Sequence, residues 1–237
     1  FYLLGGRENN SNVNIYDPAT DSWTVGADAP FPVHHVQALA YDGLIYMVGA
    51  FQDNNFPNEN PNPNIVIYDP LADKWLTGPA IPNNRLRGSM GAVVYQDKIY
   101  VVNGLTNGHA SGWVNWFDVF DPKTNQWSTL PNSPRTRDHF HAAVIGNKLY
   151  VAGGRRSGQQ TTFLPLVGEV DVFNFQTNSW STLPNNIPTQ RAASTAAVLG
   201  DELIIIGGEQ TGGLANNQTE ALNANNNSWR TLAPMLQ

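Results

Sequence analysis

The eight residues YDPLADKW at positions 68–75 occur, with substitutions, five times along the chain. Each copy begins with an aromatic or aliphatic residue and ends with a tryptophan. The copies are Tyr16–Trp23, Tyr68–Trp75, Phe120–Trp127, Phe173–Trp180 and Leu222–Trp229. Asp followed by Pro in the first three copies favours a type I turn, because Asp suits its first position and Pro its second. Each copy is therefore predicted to form a strand, a turn and a second strand.

Further strands are predicted upstream of each copy, two in four of the repeats and one in the first. A β-rich run that ends in small residues precedes every copy, at residues 1–6, 45–50, 99–104, 149–154 and 203–208. In four repeats an apolar run of small residues lies earlier still, at residues 37–41, 91–95, 141–145 and 195–199. No helical period appears over any long stretch. The chain is therefore predicted to repeat a unit of four short strands, with a period of about 50 residues.

The succession of Tyr-x-x-Gly-Gly, Tyr-Asp-Pro and Trp resembles the kelch repeat, and the resemblance covers nearly the whole chain. The glycine pair is intact at Gly5-Gly6, Gly153-Gly154 and Gly207-Gly208, and half of it remains at 49–50 and 103–104. The resemblance implies an all-β kelch-type β-propeller, with four-stranded antiparallel blades around a central channel. The recurring aromatic residues are then expected to fill the space between neighbouring blades.

The expected propeller occupies residues 1–237 as one domain. Its blades are expected at about 1–30, 33–80, 87–130, 137–183 and 191–233, the first of them lacking its innermost strand. A closed propeller usually completes one blade with strands from both termini, because this removes exposed edges. We therefore expect about five blades of a six- or seven-bladed ring. A five-bladed ring closed by other means is the alternative.

Composition excludes several kinds of function. The formal net charge of −6 and the small number of lysines disfavour nucleic acid as a partner, because such binding depends on neutralising phosphates. No apolar run approaches the roughly 18 residues of a membrane span. The absence of cysteine excludes disulfides, cysteine-ligated metals and cysteine nucleophiles. We expect no cofactor.

Three Asn-x-Ser/Thr triplets begin at Asn9, Asn217 and Asn226. Such triplets accept glycans only in chains that pass through a glycosylating compartment. Together with the lack of thiols and the few lysines, they lead us to expect a secreted, extracellular glycoprotein.

The segments that enter the inner strands carry recurring arginines. Arg87, Arg137 and Arg191 align with one another, and Val33 takes the equivalent place in the second repeat. In kelch substrate adaptors this region binds ligand, so the resemblance implies a cationic site at the channel mouth, where guanidinium forks grip an anion. The alternative is that these arginines bind carbonyl groups of adjacent turns and stabilise the blades. Two residues later His35 and His139 are further candidates for ligand contact, beside Ser89 and Ala193.

The loops between the second and third strands are long and differ from one repeat to the next. Unequal insertions on one face of a repeat array are typical of a binding face. Ligand-binding candidates in these loops are Phe51, Trp113, Arg155 and Glu209. A pocket with cationic walls and an aromatic rim suits acidic sugars or acidic peptide side chains.

His139 and His141 alternate along one strand, next to Asp138. Two such histidines and a carboxylate could bind a metal. The pattern favours instead a hydrogen-bonded polar cluster beside the channel, so no metal is expected.

The function expected from these features is non-catalytic recognition of a glycan or a protein partner through the loop-rich face. One alternative is a carbohydrate-active enzyme. The galactose-oxidase type needs a cysteine-linked tyrosine that this chain lacks, whereas the sialic-acid mutarotase type needs only an acid/base pair, such as Arg191 with Glu209 or Asp138 with His139. The other alternative is a structural spacer in a larger assembly. No catalytic residue is assigned, because fold resemblance does not settle function.

Overall fold

The computed structural model describes residues 1–7, 11–158 and 163–236, and nearly all of its regular structure is antiparallel β-sheet. The strands form five consecutive blades. Within these described ranges there is no α-helix, and the two 3-10 turns, Asn83–Arg85 and Thr211–Gly213, have three residues each. Blades 2 to 5 are four-stranded and blade 1 is three-stranded. This confirms the predicted all-β propeller with four-stranded antiparallel blades.

The strands follow the chain from the innermost to the outermost position of each blade. Blade 1 comprises β1 (Tyr2–Leu4), β2 (Val13–Asp17) and β3 (Ser22–Gly26). Blade 2 comprises β4 (Ala38–Tyr41), β5 (Leu44–Met47), β6 (Asn64–Asp69) and β7 (Lys74–Ala80). Blade 3 comprises β8 (Gly91–Tyr95), β9 (Lys98–Val102), β12 (Phe117–Asp121) and β13 (Gln126–Leu130), with a separate hairpin of β10 (Leu105–Asn107) and β11 (Ser111–Trp113). Blade 4 comprises β14 (Ala142–Ile145), β15 (Lys148–Val151), β16 (Asp171–Asn174) and β17 (Ser179–Thr182). Blade 5 comprises β18 (Thr195–Leu199), β19 (Glu202–Ile206), β20 (Thr219–Asn223) and β21 (Trp229–Leu232).

In blades 2, 3 and 4 the recurring tryptophan joins the blade to the one before it. In blade 2, Trp75 is the cross-strand partner of Tyr68, with ring centroids 5.2 Å apart. Its indole Nε1 donates to the carbonyl oxygen of Ala27 in blade 1, at 2.7 Å. Trp127 and Trp180 donate in the same way to carbonyls of blades 2 and 3. The fixed spacing within the repeat therefore serves contacts both within and between blades.

The inner strands β4, β8, β14 and β18 of consecutive blades lie side by side around the axis. One side chain spans this channel. The Oε1 atom of Gln37 accepts hydrogen bonds from the main-chain N–H groups of Ala92 and Ala142, both at 2.9 Å, and its Nε2 donates to Ala142 O. Beside it lies a cavity of about 220 Å³ bordered by residues of blades 2 to 5, including His35, His139 and His141.

The first and last blades each expose one lateral face. In blade 1, Leu3 and Val25 are exposed, and so are Val198 and Leu199 of the inner strand of blade 5. Among the described residues no strand lies inside β1. The expectation of a six- or seven-bladed ring remains a prediction.

Candidate functional site

The propeller has two faces that differ in construction. Short turns join the first two strands of blades 2 to 5 and the last two strands of every blade on one face, which we call the turn face. The loops between the second and third strands lie on the opposite face, the loop face. The segments that enter the inner strands lie there too, because each forms an isolated β-bridge with the start of its blade's loop. These bridges join His34 to Phe51, Gly88 to Leu105, Asp138 to Arg155 and Ala192 to Glu209.

The aligned arginines lie inside the blades and do not line the channel mouth. Arg87, Arg137 and Arg191 are each at most 1% exposed. Every one bonds to a carbonyl oxygen of the second strand of its own blade and to a carboxylate on the third strand. The carboxylates belong to Asp118, Asp171 and Glu220. The prediction that these arginines contact a ligand is therefore wrong, and the alternative role in blade structure describes them.

The physical reason is that a buried guanidinium requires partners on several sides. Arg137 donates to Gly153 O at 2.7 Å, to Glu169 O at 3.0 Å and to the Asp171 carboxylate at 2.6 Å. Burial lowers the pKa of Arg87 and Arg137 to about 10, an effect that the neighbouring aspartates partly offset. In blade 3 the Trp116 ring lies against the guanidinium groups of Arg85 and Arg87, and the Arg85 guanidinium is 4.3 Å from its ring centroid.

Blade 2 shows that the arginine and its carboxylate vary together. Val33 stands at the arginine position, and Val66 on β6 stands where the other blades carry the carboxylate. Both valines are buried in one apolar cluster with Met47 and Tyr68. Comparison of the third strands could have revealed this pairing from the sequence, since the carboxylate is absent where the arginine is absent.

Main-chain hydrogen bonds link four residues of the loop face in a series around the axis. His35, Ser89, His139 and Ala193 hold equivalent positions and share left-handed backbone with φ between +51° and +56°. Ser89 N donates to His35 O, His139 N to Ser89 O, and Ala193 N to His139 O, over 2.7–3.1 Å. This conformation directs the side chains of His35 and His139 towards the centre of the loop face.

A third histidine, His109 from the loop of blade 3, joins them. The ring centroids of His35, His109 and His139 are 4.7–4.8 Å apart. His109 Nε2 lies 2.9 Å from His139 Nε2. His109 and His139 are buried, and His35 is half-buried. We call these three residues the histidine cluster.

Buried acceptors hold the outer nitrogens of the cluster. Glu59 Oε2 lies 2.9 Å from His109 Nδ1, and an Asp138 oxygen accepts from His139 Nδ1. Burial acts to raise the pKa of Glu59. The hydrogen bonds and the charge of His109 have the larger opposite effect, so the pKa of Glu59 is lowered to about 2. Burial raises the pKa of Asp138 to about 6 against the opposing effect of its bonds with Ser157. Burial also lowers the pKa of His35 and His139 well below the usual range.

Two arginines flank the cluster. Arg7 of blade 1 places Nη2 3.2 Å from His35 Nε2, 3.3 Å from His109 Nε2 and 3.2 Å from Glu59 Oε1. On the other side, Arg155 bonds to Ser157 Oγ at 2.9 Å and to Glu209 Oε2 at 2.6 Å.

Arg155 and Glu209, both predicted ligand contacts, are thus paired with each other. Of the two suggested acid/base pairs, Asp138 and His139 are in contact, whereas Arg191 pairs with Glu220 and not with Glu209.

The five loops touch one another around the cluster. Arg7 joins the loops of blades 1 and 2 through Glu59, and His109 N joins blade 3 to blade 2 by donating to Pro57 O at 2.7 Å. Trp113 Nε1 donates to Ser157 O of blade 4 at 2.5 Å, and Arg155 meets Glu209 of blade 5. We call this connected set of loops the rim.

The two aromatic residues that were predicted to contact a ligand, Phe51 and Trp113, differ in exposure. Phe51 is fully buried beneath the cluster, 5.7 Å from His35 and 6.1 Å from His109 between ring centroids, so it cannot touch a ligand from outside. Its prediction as a contact residue is wrong because the bridge with His34 turns it inward. Trp113 is 42% exposed and lies on the rim. The exposed rim side chains Phe56, Leu164 and Leu214 were not predicted.

The other predicted positions lie apart from the cluster. His141 is turned away and approaches Thr195 Oγ1 at 3.0 Å. Asn226 is exposed on the turn face, whereas Asn217 is half-buried and its side-chain amide approaches Met235 O at 3.5 Å. Asn9 lies outside the described residues. Glycosylation and an extracellular location stay predictions. No helix in the described part of the chain is long and apolar enough to cross a membrane.

Three members of the cluster network were missed from the sequence. Arg7, Glu59 and His109 do not belong to the repeat pattern. All three stand in loops whose lengths differ between blades, so alignment of the repeats gives no equivalent position. An isolated ionisable residue inside an Asn/Pro-rich or Gly-rich loop was the available signal.

Comparison with known proteins bears on the family. Residues 131–237 match the KLHDC2/KLHL20/DRC7 Kelch-repeats domain, and residues 86–134 match the Kelch motif. The chain is 30% identical over 230 residues to Kelch-like protein terF of Aspergillus terreus, covering 94% of this chain and 49% of that protein. It is 24% identical over 239 residues to human Kelch-like protein 23, covering 100% of this chain and 40% of that protein.

Two further similarities agree with this. Beta-scruin of Limulus polyphemus is 28% identical over 184 residues, 73% of this chain and 19% of that protein. The solved structure of YjhT superposes with a TM-score of 0.80 at 18% identity, covering 98% of this chain and 80% of that one. The chain spans about half or less of the length of Kelch-like protein terF, Kelch-like protein 23 and beta-scruin. The family matches, the repeated strand pattern and the propeller architecture agree, and the chain belongs to the kelch-repeat family.

Proposed function

We propose that this propeller is a non-catalytic recognition module that binds a protein partner through its loop face. The observation that carries the proposal is the rim, in which loops from all five blades contact one another and present one continuous surface. Non-repeating loops on a rigid repeat scaffold are the usual place for binding residues. The kelch-like relatives support a protein partner over other ligands.

The exposed chemistry of the rim favours a partner with apolar anchor residues. Phe56 is 53% exposed, Trp113 42%, Leu164 38% and Leu214 67%. Large aromatic side chains such as Trp at the centre of an interface often provide much of its binding energy, and the contacts around them exclude water. The hydrogen bond from Trp113 Nε1 to Ser157 O fixes the indole, so binding would order little further. The four arginines that were predicted to contact a ligand are buried and paired with carboxylates of the chain, so the structure favours an acidic partner less than the sequence does.

A set of surface substitutions tests the proposal. The double variant Trp113→Ser and Leu214→Ser should reduce co-purification of a specific protein from cells that naturally produce the full-length chain by tenfold or more, since two anchors of about 1–2 kcal/mol each are removed. Leu71→Ser is the matched control, because Leu71 is 98% exposed on the turn face. Equal recovery of the same proteins by both variants would refute the assignment. Binding to glycans and not to proteins, measured with immobilised glycans, would redirect it to a sugar ligand.

A further inference from the structure

The histidine cluster has a chemical feature that protein recognition does not use. One ring nitrogen of each of His35, His109 and His139 lies within 4.8 Å of one from each of the other two. Whether these nitrogens carry hydrogen or a lone pair follows from the partner of the opposite nitrogen in each ring.

The tautomer of His35 follows from its neighbour His34. His34 Nε2 lies 2.6 Å from the carbonyl oxygen of Asp53, which can only accept, so His34 Nε2 carries the hydrogen. In neutral His34 the Nδ1 atom is then an acceptor. It lies 2.5 Å from His35 Nδ1, which must therefore be the donor. His35 is left with a lone pair on Nε2, directed towards the cluster.

Carboxylates assign the other two rings in the same way. His109 Nδ1 donates to Glu59 Oε2 at 2.9 Å. His139 Nδ1 donates to Asp138, whose two oxygens also accept from Ser157 Oγ at 2.6 Å and from Ser157 N at 2.9 Å. In their neutral forms, which are the forms that bind metals, both histidines turn an Nε2 lone pair inward. The 2.9 Å contact between His109 Nε2 and His139 Nε2 then has no hydrogen in it.

Among the described residues, Arg7 Nη2 is the hydrogen-bond donor that reaches these inward nitrogens. Its two hydrogens face three acceptors, namely His35 Nε2, His109 Nε2 and Glu59 Oε1. Three inward lone pairs in a largely buried site, with fewer donors than acceptors, form an arrangement that a cation would stabilise.

We propose that His35, His109 and His139 form a three-histidine binding site for a divalent transition metal of the Zn²⁺ type. Neutral imidazole nitrogens are ligands that Zn²⁺, Cu²⁺ and Ni²⁺ prefer, and three of them leave a further coordination position open. Metal–nitrogen bonds of about 2.0–2.1 Å place ligand nitrogens about 3.3 Å apart in a tetrahedral site. The three nitrogens lie within 4.8 Å of one another, so each pair has to change its separation by at most about 1.5 Å to meet this requirement.

The surroundings of the three rings match those of metal-binding histidines. Each Nδ1 has an acceptor that fixes ring orientation: Glu59 for His109, Asp138 for His139 and His34 for His35. Such outer partners orient metal ligands in proteins. The two carboxylates also supply negative charge close to the metal. Arg7, whose side chain is 39% exposed, must leave the inward nitrogens when the metal binds, and Glu59 Oε1 still offers it a partner.

Metal titration of the purified chain tests the site. After dialysis against EDTA, Zn²⁺ added in a calorimeter should bind at one ion per chain, and Co²⁺ should give the visible absorption of a low-coordinate site. His109→Ala and His139→Gln should each weaken binding by more than the ~10–100-fold that loss of an outer partner costs. His141→Gln is the matched control, since His141 is a neighbouring histidine outside the cluster and should bind as the unchanged protein does.

Arg7→Ala provides a second test that does not depend on altering a buried ligand. Removal of the competing guanidinium should tighten Zn²⁺ binding by about tenfold, because a like charge within a few ångströms opposes the metal. Failure of the unchanged protein to take up Zn²⁺ stoichiometrically would overturn the proposal. Unchanged affinity in His109→Ala, with near-ultraviolet circular dichroism showing a folded protein, would also overturn it. Undiminished partner recovery by the Trp113→Ser and Leu214→Ser double variant, with stoichiometric Zn²⁺ uptake by the unchanged protein, would refute the recognition surface alone.

Discussion

At the scale of single residues, the buried arginines show how one position can be aligned correctly and yet be assigned the wrong role. Alignment placed Arg87, Arg137 and Arg191 at the start of the inner strands, and the structure has them there. Their direction depends on carboxylates that lie about 30 residues further along, on the third strand of each blade. Buried charges are retained where they are paired, so the partner decides the orientation.

Substitution of Arg137 tests this structural role. Arg137→Ala should lower the free energy of unfolding by about 3 kcal/mol, the low end of the range for breaking a buried ion pair, because Asp171 keeps its bond to Arg135. Denaturant unfolding of the purified protein measures the change. Arg156→Ala is the control, since Arg156 is exposed on the same blade's loop and its loss should leave the free energy nearly unchanged.

The valine pair of blade 2 extends the same test. Arg137→Val combined with Asp171→Val recreates in blade 4 the pairing that Val33 and Val66 have in blade 2. The double variant should be more stable than Arg137→Ala, because the buried Asp171 carboxylate is removed together with its guanidinium partner. An Arg137→Ala protein as stable as the unchanged protein would contradict a structural role and return this arginine to the list of ligand contacts.

At the scale of the elements, the turn residues and glycines made the blades predictable. The Asp-Pro turns and the fixed distance to tryptophan locate the outer two strands, and the glycine pairs mark the end of the second strand. The glycines are required there because the chain passes close to the next blade. A Cβ on Gly49, where φ is +69°, would overlap the Arg87 carbonyl oxygen and the Met90 methyl group.

Two glycines of blade 2 allow the energetic cost of this close approach to be distinguished from the cost of backbone strain. Gly43 has a similar φ of +75° but nothing within 4 Å of a Cβ. Gly43→Ala should cost about 1–2 kcal/mol, the usual penalty for left-handed backbone. Gly49→Ala should cost at least about 2 kcal/mol more, because the overlap adds to the strain. Thermal and denaturant unfolding would measure both, and equal costs would show that contact with blade 3 is unimportant.

The loops were less predictable than the strands. The β10–β11 hairpin of blade 3 has strands of three residues, too short for a periodic pattern to indicate. The convergence of His35, His109 and His139 depends on a loop of blade 3 and on left-handed backbone at positions 35 and 139. The loop differs in length from the loops of the other blades, and the residue type at the left-handed position changes from blade to blade, so the repeat pattern indicates neither. Sequence reasoning therefore found the face that carries the candidate site and two of its three histidines, but it could not find the cluster.

At the scale of the whole molecule, the blades form a rigid support with one specialised face. The turn face repeats similar short turns from blade to blade, whereas the loop face carries the histidine cluster and the rim. The lateral faces of blades 1 and 5 expose Leu3, Val25, Val198 and Leu199. The size of the ring in the full-length protein stays a prediction, and it does not alter the contacts among the five loops.

Photo-crosslinking from the two faces tests the assigned recognition surface most directly. A photoreactive amino acid replaces Leu214 on the rim or Leu71 on the turn face, both strongly exposed leucines, in the full-length protein in its natural cells. Mass spectrometry then identifies the covalent adducts. We expect one specific protein adduct from position 214, diminished by Trp113→Ser, and none of that protein from position 71. The same adduct in equal yield from both positions, or from position 71 alone, would contradict recognition through the loop face.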